Sequence, residues 1–174
     1  KKLRGKVEGQ NVLEIGCGRG VGTEIILKYF GASCVHAFDL DAQMIDLAHS
    51  RLAQFSNERV KLWVGDATKI EAVDHTYDAV FDFGIIHHIP NWRHAIVEIA
   101  RVLKPGGLFF FEEVTKQALS RWFYRTFLEH PTEDRFSGDE FITELEQLSL
   151  TVSNNFVYRF FGDFVIGVAR KSYV

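Results

Sequence analysis

Four carboxylates stand at comparable stations along this chain. Glu14, Asp39, Asp66 and Glu112 each fall at or beside the end of a short apolar run, in Asn11–Ile15, Cys34–Phe38, Val60–Val64 and Leu108–Phe111. Directly after the first run comes Gly16-Cys17-Gly18-Arg19-Gly20. Small residues there let the backbone turn tightly and approach a ligand, and a following helix presents free N–H groups. A dinucleotide pyrophosphate is one candidate, but the G-x-G-x-x-G/A fingerprint fails in both registers. Its third place falls on Val21 counted from Gly16 and on Thr23 counted from Gly18. Glu14 beside the loop would also repel a dianion, whereas it suits a positively charged ligand. Asp39, about twenty residues after the loop, is placed to accept from both hydroxyls of a ribose, a contact worth roughly 1.5–3 kcal/mol. A helix cap is the plainer role for an aspartate here, and Asp41, just before Ala42, fits it better.

Further titratable groups cluster beyond the fourth and fifth runs. His87 and His88 follow Tyr77–Phe83, and Glu113 adjoins Glu112. These four are the candidate acids and bases. Adjacent histidines point differently, so at most one is expected to face a substrate; packing or capping is the alternative. Strand alternation turns one of Glu112 and Glu113 toward a pocket, or else both end in solvent. Zinc on His87, His88 and His94 is disfavoured, since no cysteine or spaced carboxylate completes a ligand set. Cys17 and Cys34 are the only cysteines, too few for a disulfide framework, and a reducing, cytoplasmic setting is the default expectation.

The elements that must carry these groups alternate. Strands are expected at Asn11–Ile15, Cys34–Phe38, Val60–Val64, Tyr77–Phe83 and from Leu108. Helices are expected over Thr23–Tyr29, Ala42–Phe55 and His94–Leu103, the last stopped by Lys104-Pro105-Gly106-Gly107. Such alternation means parallel strands, right-handed crossovers and helices on both faces, with ligands beyond the carboxyl ends of the strands. The last third changes character. Lys116–His130 reads as a helix with Trp122, Phe123 and Phe127 among basic residues, and Ser137 opens another running to Leu148. Thr151–Phe160 and Asp163–Ala169 read as an antiparallel pair, because a parallel crossover needs about a dozen residues. With 174 residues, 47% hydrophobic residues and a net charge of −3, the chain fits one domain over 1–174. It has no run of the ~18 apolar residues that a membrane span needs. The net charge gives no electrostatic reason to expect nucleic acid.

Five ordered segments resemble class I S-adenosylmethionine-dependent methyltransferases, of the small-molecule and lipid type (type 11/25-like). They are Val12–Gly20, Phe38–Ile45, Gly65-Asp66-Ala67, Tyr77–Ile89 and Arg101–Gly107, and the resemblance runs from about 7 to 113. It implies a Rossmann-like, doubly wound α/β sheet, mostly parallel with an antiparallel C-terminal strand. It also implies a cofactor-binding part over about 7–113 and a substrate-side part with a β-hairpin over about 114–174. The cofactor implied is S-adenosyl-L-methionine, with S-adenosyl-L-homocysteine as product. By position, Gly16, Cys17, Gly18 and Gly20 resemble the loop under the methionine part, and Glu14 the acidic residue supporting its amino end. Asp39 resembles the ribose carboxylate, and Leu40 and Met44 the residues flanking adenine. Asp66 and Ala67 resemble the adenine-binding turn, and Phe83 the position whose backbone meets the methionine moiety. Arg19 departs from the small hydroxyl residue common there. The implied reaction is in-line methyl transfer to a small-molecule or lipid-like acceptor. A non-catalytic, cofactor-binding regulatory or scaffold module is the alternative, kept open by the aromatic segment 120–128. A nicotinamide-dependent oxidoreductase is disfavoured by the loop.

Overall fold

The structure, a computed structural model, describes residues 5–120 and 135–173. In chain order the first half runs β1 (Asn11–Ile15), α1 (Val21–Ile25), β2 (Cys34–Asp39), α2 (Ala42–Leu52), β3 (Val60–Val64) and β4 (Tyr77–Phe83). The second half runs α3 (Trp92–Val102), β5 (Leu103–Val114), α4 (Lys116–Ser120), α5 (Gly138–Gln147), β6 (Leu150–Thr151), β7 (Phe156–Arg159) and β8 (Phe164–Lys171). One sheet of order β3-β2-β1-β4-β5-β8-β6 contains them, with β7 also paired to β8. The first five strands are parallel and β8 runs antiparallel to β5. The sheet is therefore the mostly parallel, doubly wound α/β arrangement that alternation implies. The expected 151–160 and 163–169 hairpin is present as β7–β8.

Strands buried on both faces are apolar at nearly every position, and β1 and β4 follow that rule. Leu13, Ile15, Val80 and Phe109 pack beneath α3 and α5, against Trp92, Ile96 and Phe141. On the other face Val12, Ala79 and Phe81 pack with Ile26, Ala48 and Leu52. The order 3-2-1-4 puts the reversal of winding between β1 and β4, the crevice in which such sheets bind ligands.

Several boundaries differ from the periodicity. The first helix begins at Val21, two residues early, and continues as a π turn over Ile26–Phe30 that Gly31 terminates. Residues 21 and 22 are β-branched and glycine, poor helix formers held there by tertiary packing. α2 stops at Leu52 rather than Phe55. α3 starts at Trp92, and β5 starts at Leu103, where Leu103 already pairs with Tyr77 before a register shift. The Pro-Gly-Gly signal thus marks an irregularity inside a strand pairing. The expected strand 151–160 is broken into β6 and β7 by a turn closed by Asn155 N–H donating to Val152 O (3.0 Å). The helix expected over Lys116–His130 is described only as far as Ser120; the rest of it, including Trp122, Phe123 and Phe127, lies outside the described residues. Among the described residues, no helix is long and apolar enough to cross a membrane.

Candidate cofactor and acceptor site

The glycine loop caps the carboxyl end of β1. Gly16 and Gly18 have φ of +61° and +51°, left-handed values that a side chain resists. A Cβ on Gly16 would lie 2.6 Å from the Ile85 side chain, whereas one on Gly18 would meet nothing within 4 Å. The loop therefore closes against the β4 end at Gly16 and opens outward at Gly18. Gly20 rests on Ala48 and Leu52 of α2. Cys17 N–H donates to Phe38 O (2.9 Å), tying the loop to β2. The Cys17 thiol is buried, and desolvation, followed by the charges of Glu14 and Asp39, pushes it up to about 12. It is an inert part of the loop rather than a nucleophile.

Asp39 ends β2, and its carboxylate accepts from Gly18 N–H (2.8 Å) and Asp41 N–H (3.0 Å). The side chain of Asp41 caps α2 through Gln43 N–H (2.8 Å), the role expected of it. Asp66 follows β3, and its Oδ1 accepts from both the N–H and the hydroxyl of Thr68 (2.8 Å each), fixing the turn that carries Ala67. A cavity of about 430 Å³ opens here. It is lined by Gly16, Asp39, Leu40, Asp66 and Ala67 on one side and by Ile85 and His88 on the other. Its size suits a nucleoside. Neither lysine nor arginine is among its lining residues. Met44 lies in the first turn of α2, half-buried, and is not among the residues that line this cavity. Arg19 is exposed.

Glu14 is buried at 2% exposure and accepts a hydrogen bond from the Thr23 hydroxyl. Burial pushes it up to about 8; the Thr23 hydrogen bond opposes this and the charge of Asp39 adds to it. A Cβ on Gly22 would stand 1.9 Å from Glu14 Oε1 and 2.6 Å from the Phe83 ring, so that position requires glycine. Gly22 and Thr23 carried no motif signal. Only the folded contact shows that α1 must admit a carboxyl group. Phe83, at the end of β4, is exposed at the opening beside them.

Strand alternation separates the glutamate pair. Glu112 is exposed and borders a second cavity of about 300 Å³, walled by Phe30, Phe81, Phe83 and Phe110. Phe81 and Phe110 stack with centroids 4.3 Å apart, and Phe30 meets them edge-on. Glu113 faces the opposite way, is fully buried, and accepts from His87 Nδ1–H (2.7 Å). Desolvation pushes His87 down to about 4, so it is neutral at physiological pH. His87 thus points inward while His88 borders the nucleoside-sized cavity, with ring centroids 4.1 Å apart. No group of three or more His, Cys, Asp or Glu placed to hold a metal occurs among the described residues.

A family model described as "Methyltransferase domain" matches residues 12–107, which contain the loop, both cavity carboxylates and the histidine turn. The chain belongs to this family. It is a class I S-adenosylmethionine-dependent methyltransferase domain, and S-adenosylmethionine is its cofactor. Phosphoethanolamine N-methyltransferase 2 of Caenorhabditis elegans is 37% identical over 99 residues, covering 57% of this chain and 22% of that protein. Fatty-acid O-methyltransferase of Mycolicibacterium smegmatis is 34% identical over 107 residues, covering 62% and 38%. The methyltransferase domain thus spans well under half the length of these relatives. The crystal structure of the Burkholderia thailandensis 1,6-didemethyltoxoflavin-N1-methyltransferase, bound to its namesake compound and S-adenosylhomocysteine, shares the fold. Its TM-score is 0.70 at 20% identity, covering 95% of this chain and 72% of that one.

The residues present fit that cofactor. The left-handed loop with open space at Gly18 admits a close-approaching ligand, and the adjoining cavity has two carboxylates and neither lysine nor arginine among its lining residues.

Proposed function

We propose that this domain transfers the methyl group of S-adenosylmethionine to a small or lipid-like acceptor. The cavity that joins the Gly16–Gly20 loop to Asp39 and Asp66 carries the reading. In it Asp39 would hold the ribose, Asp66 and Ala67 the adenine, and Glu14 the amino end, with the loop backbone beneath the methionine part. When bound, the cofactor supplies a methyl group already activated by its positive sulfur. The work left to the protein is to align the acceptor and exclude water. Ile85, which closes on Gly16, lines the nucleoside-sized cavity, and Phe83, beside Gly22, lines the aromatic one.

The aromatic cavity beside Glu112 supports an apolar acceptor body with a polar reacting end. Of the two relatives, the fatty-acid methyltransferase is named for an acceptor of that shape and the phosphoethanolamine methyltransferase for a small polar one. Glu112 is the group placed to orient an acceptor or take its proton, and His88 is the second. Glu113 and His87, turned into the interior, serve structure instead. The test offers lipid and polar metabolite extracts separately, measures S-adenosylhomocysteine release, and identifies the methylated product by mass. Turnover confined to a lipid or small-molecule fraction, and lost in Glu112→Ala, is the expected result. Binding of S-adenosylhomocysteine without turnover on any fraction would instead favour a regulatory module.

A further inference from the structure

Beneath the turn that walls the nucleoside-sized cavity lies a buried acid pair. Asp82 on β4 is 1% exposed and Glu113 on β5 is fully buried. Glu113 accepts four hydrogen bonds: from Ile86 N–H (2.6 Å), His87 N–H (3.2 Å), Val114 N–H (3.2 Å) and His87 Nδ1–H (2.7 Å). Burial raises Glu113 too, to about 7, but its donors oppose that rise, so of the two acids it is the one that ionises first. Asp82 is in the opposite position. Its Oδ1 accepts from Ile85 N–H (3.0 Å), while Oδ2 is buried with no donor reaching it among the described residues. Asp82 lies against Glu113, and it also faces Glu14 on β1 and His87 on the turn. Two carboxylates in such a place cannot both be charged.

We propose that Asp82 and Glu113 share one proton, carried by Asp82 and donated to Glu113, and that this pair positions the Ile85–Pro90 wall of the cofactor cavity. The pair grips the turn from below at three consecutive N–H groups, Ile85, Ile86 and His87. The residues so held are those that meet the ligand space: Ile85 closes on Gly16, and His88, Ile89 and Pro90 line the cavity. The Nδ1–H bond to Glu113 also fixes the His87 tautomer. Burial and the adjacent Glu113 charge hold the Asp82 carboxyl well above the usual range, as the arrangement requires.

The inference rests on the cofactor reading for its consequence but not for the proton itself. Asp82→Asn keeps an acceptor for Ile85 and a donor for Glu113, whereas Glu113→Gln places an amide N–H₂ among donors. Calorimetry with S-adenosylhomocysteine is expected to show Asp82→Asn within about threefold of the parent and Glu113→Gln weaker by roughly tenfold or more, while both keep the parent's circular dichroism. The infrared difference spectrum of parent minus Asp82→Asn at pH 7 is expected to show the C=O stretch of a protonated acid; the Glu14 contribution cancels. Equal losses in the two variants, or a carboxylate band in place of the acid band, would overturn the assignment. If Glu113→Gln does not fold, Asp82→Asn decides by the same two readouts. A parent that binds no S-adenosylhomocysteine yet shows the acid band would sink the cofactor reading and leave the shared proton standing.

Discussion

Replacing Glu14 by Gln separates what this residue does for the fold from what it does for the ligand. Glu14 has a folded pKa of about 8 against an ordinary 4.5, because burial outweighs the Thr23 hydrogen bond. Between those values the folded chain holds a proton that the unfolded chain has lost, so stability falls as pH rises from about 4.5 to about 8 and then levels off. At roughly 1.4 kcal/mol per unit, the full span corresponds to ~5 kcal/mol, and the part accumulated by pH 7 to ~3 kcal/mol. Glutamine retains an acceptor for the Thr23 hydroxyl and never ionises, so Glu14→Gln escapes the loss. Melting curves should coincide below pH 4.5 and diverge above it. By pH 7 the variant should melt roughly 6–12 °C higher, at about 2–4 °C per kcal/mol for a domain of this size. Ligand binding should move the other way. A cationic amino end beside Glu14 favours the carboxylate, so binding at pH 7 should release protons, up to one per site, measurable by calorimetry in buffers of different ionisation enthalpy. The variant should release fewer and bind more weakly. Parallel pH–stability curves for parent and variant between pH 5 and 8.5 would refute the reasoning.

Asp39→Ala should weaken S-adenosylhomocysteine binding by roughly 1.5–3 kcal/mol, the worth of charge-assisted hydrogen bonds, as read by calorimetry. It should also loosen the loop, since Gly18 N–H loses its acceptor. Gly22→Ala should destabilise the fold by roughly 1–3 kcal/mol, because the new Cβ would stand 1.9 Å from a buried carboxyl oxygen. Denaturant titration checks this, and a neutral result would remove Gly22 from the site. Cys17 should resist alkylation at pH 8 in the native state, with its thiol up at about 12, while half-buried Cys34 reacts first. Mass mapping of the labelled peptides reads the order.

Much was legible along the chain for one physical reason. Residues that end buried parallel strands reveal themselves by a break from apolar to glycine or acid, and the binding crevice lies at those breaks. Glu14, Asp39 and Asp66 were found that way, as were β1 to β4 and the antiparallel close. Boundaries at Gly and Pro misled, because Val21, Gly22 and the Pro-Gly-Gly turn take their conformation from neighbours rather than from propensity. Met44, in the first turn of α2, is half-buried, and no spacing along the chain could say whether its side chain reaches the cavity.

The sequence alone determined the family, the winding of the sheet and the carboxylates at its edge, because these rest on local apolar patterns and on spacing within single elements. Which of two neighbouring acids or histidines does what was decided only in three dimensions. Alternation sends Glu112 to the aromatic cavity and Glu113 beneath the histidine turn. Whether Glu113 carries charge there depends on Asp82, 31 residues earlier in the chain, and on donors from a turn between them. Burial and long-range partners set those protonation states, and neither is encoded in the spacing of residues along the chain.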